Sequence, residues 1–148
     1  LEEVALLTFV AAAEEIFFRG LLLRELIFGY QYKPLLSTIV VSALFGALHL
    51  LNTFSYATLQ YAIVQTLCAF AISFDLSAIY YKFKSIVSCI VIHALINITS
   101  IGLDSGLEKL SLNSFEATMF LIVAVLYLIH GCKLFSVKQF CVDRGEDD

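Results

Sequence analysis

Two adjacent carboxylates, Glu14 and Glu15, and an arginine, Arg19, stand inside the apolar run from Val4 to Leu23. Farther along, His49 closes Phe45-Gly46-Ala47-Leu48-His49, and His93 opens His93-Ala94-Leu95-Ile96-Asn97. A carboxylate can take a proton from water, and imidazole and carboxamide groups can stabilise an oxyanion. The set therefore holds the parts for activating water on a peptide carbonyl. Glu14, His49 and His93 could instead bind zinc and lower the pKa of a coordinated water. No HExxH helix is present, so a thermolysin-like zinc site is not indicated.

Each group also has a plainer reading. Glu15 and Arg19, four apart on a helix, stack on one face and can neutralise each other as a structural ion pair. Glu14 is turned ~100° away, has no sequence-local cation, and is the better candidate for chemistry. His49 is a lone histidine near a helix end, which is most often an interfacial side chain, so by itself it proves little. His93 and Asn97 form an i, i+4 polar pair that could serve as an interhelical hydrogen-bond device at ~1 kcal/mol. Their joint occurrence on separate apolar segments carries more weight than any one of them, because ionisable groups at membrane depth usually mark function.

The elements that must position these groups are membrane helices. Of the 148 residues, 60% are hydrophobic and only 15% charged, and the mean hydropathy is +0.90. A soluble domain of this length would keep far more charge on its surface. The expected fold is all-α, a polytopic transmembrane bundle forming a single domain over 1–148 with a short polar tail from about 139. Five spans can be drawn: Leu1 to about Gly29, Pro34 to Leu51, Ser55 to Tyr81, Ser85 to Gly102, and Asn113 to Leu134. Each suits a ~30 Å hydrocarbon core at ~1.5 Å per residue, two of them only just. Lys33 is a polar connector before Pro34, which suits a first helical turn, and Gly102, Asp104, Ser105 and Gly106 form the clearest loop. Counted along these spans, Glu14 lies ~15 Å from the outer face, Asn97 ~12 Å, His93 ~18 Å and His49 ~8 Å. Three helices can thus present Glu, His, His and Asn near one level.

Basic residues set the orientation. Arg24 and Lys33 flank the first connection, Lys82 and Lys84 the third, and Lys133 and Lys138 the end of the fifth span. Alternating spans place all three on one side, the cytoplasmic one, with the carboxy-terminal tail. If the complete protein starts in the cytoplasm, an odd number of earlier spans precedes this chain. The net charge of -4 comes largely from Asp143, Glu146, Asp147 and Asp148, and points to no nucleic-acid partner. Cys68, Cys89, Cys132 and Cys141 show no CxxC spacing and read as free thiols. Asp75, with Ser73 and Ser77, is expected to face a neighbouring helix or the cytoplasmic interface. Gln60, Gln65 and Thr66 read as helix-packing groups, His130 as interfacial, and Tyr56, Tyr61, Tyr80, Tyr81 and Tyr127 as interfacial anchors.

Glu14-Glu15-Ile16-Phe17-Phe18-Arg19-Gly20 matches EExxxR, Phe45 to His49 matches FxxxH, and His93 to Asn97 matches HxxxN. Three such motifs, in order and on separate spans, resemble the CAAX protease and bacteriocin-processing enzyme family of intramembrane proteases, also called the CPBP or Abi family. The resemblance covers roughly Leu1 to Ser100. It implies a helical membrane endopeptidase of about eight spans, of which this chain would supply the last five. By that resemblance Glu14 is the water-activating glutamate, His49 its partner in activating water, and His93 with Asn97 the oxyanion-stabilising pair. Glu15, Arg19 and Phe45 support the site. Relatives are described both as metalloproteases and as metal-independent glutamate proteases. The glutamate mechanism without a cofactor is the one favoured here, with zinc on Glu14, His49 and His93 as the alternative.

The implied partners are a hydrophobic or lipidated peptide or protein substrate and the lipid bilayer. Eukaryotic relatives cleave prenylated CAAX proteins, whereas many bacterial ones are linked to peptide maturation or bacteriocin self-immunity, and the short loops favour a bacterial plasma-membrane member. Two rival functions stand beside proteolysis. A non-catalytic immunity or scaffold protein would use the same fold to bind a peptide or partner. A proton-coupled transporter would need polar residues spaced along a path through the bilayer, whereas these cluster near one level.

Overall fold

The computed structural model describes residues 1–55, 57–99 and 112–136. Tyr56, the expected loop from Gly102 to Gly106, Lys138, Cys141 and the polar tail lie outside the described residues. Among those described the chain is helical, with no β-strand. Helix α1 (Glu2–Glu15) runs directly into π-helical turns over Ile16–Leu23 and Glu25–Gly29, with Arg24 between them in the right-handed helical region. The expected first span is thus one continuous helical rod. π-Helical turns inside helices often accompany functional sites, and here they begin directly after Glu15.

Pro34 opens α2 (Pro34–Leu48), where its missing N–H leaves no hydrogen bond unmade. The helix tightens at its end into a 3₁₀ turn over His49–Phe54. Helix α3 (Leu59–Phe83) starts on Thr58, whose hydroxyl accepts from the Tyr61 N–H at 3.3 Å. It stops at Lys84, which adopts a left-handed φ of 54°. The Ser85 hydroxyl accepts from the Ser88 N–H at the start of α4 (Ile86–Thr99). At the start of α5 (Ser114–Ser136), the Asn113 carboxamide and the Glu116 carboxylate each accept the other's backbone N–H at 2.9 Å, a reciprocal cap.

Among the described residues three stretches are long and apolar enough to cross a membrane: Pro34–Phe54, Leu59–Phe83 and Ser114–Ser136. This is the helical bundle of an integral membrane protein. Two expected spans fall short of that standard. The first helix carries Glu2, Glu3, Glu14, Glu15 and Arg19 within its apolar length. The 14 residues of α4 reach only ~21 Å, and its expected last turn lies outside the described residues.

Helix α3 is the centre of the bundle: 67% of its apolar window is buried, against 33% for α2 and 11% for α5. It packs on α5 and α2, while α1 packs on α4. Close approach requires small residues at two crossings. A Cβ on Gly46 would stand 2.9 Å from the Thr66 carbonyl oxygen, and one on Gly131 would stand 2.8 Å from the Phe74 ring. In membranes such small-residue contacts replace the hydrophobic drive between helices. Phe18, Leu23, Ile27, Val41, Phe45 and Ala69 form the apolar cluster that joins the first helix to α2 and α3. That cluster lies directly beside the buried charges.

Candidate active site

Glu15 and Arg19 are fully buried, with 0% exposure each. Arg19 Nη1 donates to Glu15 Oε1 at 2.8 Å, so the expected pair forms along one helical face. A guanidinium carries further donors, and they reach across to α3. Arg19 Nη2 donates to the Ser73 carbonyl at 3.0 Å and to Ser73 Oγ at 2.8 Å. Ser73, grouped in the sequence with Asp75 and Ser77, thus belongs to the support of the site. The signal available in sequence was the donor count of an arginine at membrane depth, which one carboxylate cannot satisfy.

Glu15 serves a second partner. His93 Nδ1 lies 2.8 Å from the same Oε1. An ionised carboxylate only accepts, so the Nδ1–H donates and the ring's Nε2 points the other way. There it meets Glu14, whose Oε2 stands 3.6 Å from Nε2. That separation is too long for a direct hydrogen bond, though a single water beside the line joining them could bond to both. The Glu14 side chain is 34% exposed while Glu15 is wholly enclosed, as their ~100° angular offset requires.

His49 is placed by the change from α-helix to 3₁₀ turn. Its Nδ1 lies 3.0 Å from the Phe45 carbonyl oxygen. A carbonyl can only accept, so Nδ1 bears the hydrogen, and in the neutral ring Nε2 is then the acceptor. The turn itself is tied to α3 by Asn52 Nδ2 donating to Gln65 Oε1 at 2.8 Å. Phe45 is the common wedge. Its ring is 5.0 Å from that of His49 and 5.7 Å from that of His93, with the Arg19 guanidinium over it at 5.2 Å. Phe18 meets it edge-on at 5.0 Å. One aromatic side chain therefore fixes both imidazoles and covers the ion pair.

His49, His93 and Asn97 all line a cavity of about 1130 Å³, walled by apolar side chains of α3, α4 and α5 including Ile72, Ile92 and Phe120. Glu14 does not line it and joins the site through His93. Tyr61 and Tyr127, expected as interfacial anchors, line the cavity too. Among the described residues no three His, Cys, Asp or Glu side chains come together closely enough to hold a metal ion. Outside the site, His130 Nδ1 donates to Asp75 Oδ1 at 2.7 Å and joins α5 to α3, so Asp75 does face a neighbouring helix. Among the described residues Cys68, Cys89 and Cys132 are free thiols.

A family model described as type II CAAX prenyl endopeptidase Rce1-like matches residues 3–99, more than half of the chain, and spans all three motifs. No curated protein and no solved structure matches the chain. The ordered motifs and the matching family model together make this chain a member of the Rce1-like family of type II CAAX prenyl endopeptidases.

Proposed function

We propose that the chain hydrolyses peptide bonds of hydrophobic or lipidated substrates within the membrane, by water activated on side chains without a metal. Glu14 takes the proton from the attacking water, and His49, with its Nε2 lone pair, helps orient that water. His93 and Asn97 offer N–H groups to the oxyanion that forms on the scissile carbonyl. For His93 the donor would be Nε2–H, with Nδ1 held by Glu15. Collapse of the tetrahedral intermediate returns the proton from Glu14 to the leaving amine.

The observation that carries this reading is the hydrogen bond between His93 and Glu15, which aims Nε2 at Glu14 instead of burying it. The surrounding cavity supports a substrate that is largely apolar. A bacterial plasma-membrane location, resting on the short loops, and a cytoplasmic tail, resting on the distribution of Lys and Arg, complete the proposal. The reading is tested by mass spectrometry of prenylated and unmodified hydrophobic peptides incubated with the purified chain in lipid. Cleavage products are expected, with prenylated and other apolar substrates preferred. A chain that binds such peptides and never cleaves them would instead be the immunity or scaffold protein.

A further inference from the structure

A second pocket, of about 520 Å³, lies away from the catalytic groups, where the end of the first helix, the start of α2 and the α3–α4 turn meet. Lys33, Lys84, Gln31, Tyr32, Tyr81 and Phe28 are among its lining residues, and no carboxylate is. Among the described residues neither lysine makes an ion pair. Lys84 is nevertheless held in place, its Nζ 4.5 Å from the centre of the Phe28 ring and 4.2 Å from that of Tyr81. Burial pushes its pKa below the ordinary lysine value.

The backbone adds to this. Gln31 and Lys84 both adopt left-handed φ values, 60° and 54°, which non-glycine residues rarely hold without a reason. At the pocket's edge α2 begins without a side-chain cap on Lys33. Proline has no N–H, so the first-turn N–H groups of Leu35 and Leu36 and the positive end of the helix dipole remain there. Two cations and an uncapped helix start, with no acid between them, make a site for an anion.

The setting indicates where the anion comes from. The pocket opens at the ends of membrane helices, bordered by the outward-facing Phe28, Leu35 and Leu36 and by the stacked rings of Tyr30 and Tyr32. Aromatic rings of this kind settle at the headgroup level, and apolar side chains beside them meet acyl chains. We propose that this pocket binds the phosphate of an anionic phospholipid from the adjoining leaflet, with Lys33 and Lys84 as its cationic contacts. The acyl chains lie along the exposed apolar face of α2.

The test is native mass spectrometry of the full chain titrated with phosphatidylglycerol, phosphatidylcholine or inorganic phosphate. The wild type is expected to retain one phosphatidylglycerol in preference to phosphatidylcholine. Lys33→Gln/Lys84→Gln should weaken that retention about ten-fold or more, while Lys84→Arg and Lys133→Gln, the latter on α5 outside the pocket, should retain it. An unchanged thermal midpoint in phosphatidylcholine micelles checks the fold of the double variant. Should that variant not fold, Lys33→Gln alone carries the test with a smaller loss in the same direction. Equal retention of the two lipids, or equal loss in Lys133→Gln, would overturn the site. Displacement of phosphatidylglycerol by equimolar inorganic phosphate would overturn the lipid as the source of the phosphate.

Discussion

His93 Nδ1 and Glu15 Oε1 lie 2.8 Å apart, between buried side chains 78 positions apart in sequence. Glu15 is thereby a positioning residue, since it acts on the reaction through the imidazole. Glu15→Gln keeps the volume and can offer His93 a donor where it needs an acceptor. The expected result is a fall of roughly 10²-fold in kcat with KM little changed. Unchanged kcat in a folded variant would show that the ring orientation does not depend on Glu15.

Glu15 and Arg19 also stabilise the fold as a unit. Glu15→Ala leaves a buried guanidinium without its carboxylate, and Arg19→Ala leaves Glu15 with His93 alone. Each is expected to cost about 3–5 kcal/mol, read as a lowered thermal midpoint in detergent. The double variant should cost less than the sum of the two. Strict additivity would contradict the pairing.

Gly46 offers a test of how helix packing reaches the site. A Cβ there would press on the Thr66 carbonyl oxygen at 2.9 Å and on Phe70 backbone N and Cβ at 3.2 Å. Gly46→Ala should therefore separate α2 from α3, cost about 1–3 kcal/mol, and reduce turnover by displacing His49, one helical turn away. Full stability with full activity would mean that the crossing can relax without cost.

Local features of this architecture are legible in the sequence, and long-range ones much less so. Pro34 fixes the start of α2, and the four-residue spacing of Glu15 and Arg19 fixes their pairing, because both follow from helix geometry alone. The links Arg19 to Ser73 and Glu15 to His93 depend on how α1, α3 and α4 pack, which no periodicity encodes. The sequence therefore pairs His93 with Asn97 and leaves Glu15 to Arg19, whereas Glu15 in fact joins Arg19 and His93. Tyr127 illustrates the same limit: an amphipathic ring in an apolar helix reads as an anchor until α5 is seen to turn it toward the cavity.

The reading without a metal predicts resistance to chelation. Protein treated with a strong chelator should keep its activity, and metal analysis should find well below one zinc per chain. Loss of activity restored by added zinc would transfer Glu14, His49 and His93 to a ligand role.

The central claim is that Glu14 is the base, and turnover of Glu14→Gln against wild type, on a peptide the wild type cleaves, tests it most directly. The substitution removes the proton acceptor with little change of volume, and Glu14 takes no part in the buried Glu15–Arg19 pair. The expected result is loss of cleavage by about 10²- to 10⁴-fold, with the thermal midpoint in detergent essentially unchanged. Wild-type turnover in Glu14→Gln would contradict the mechanism.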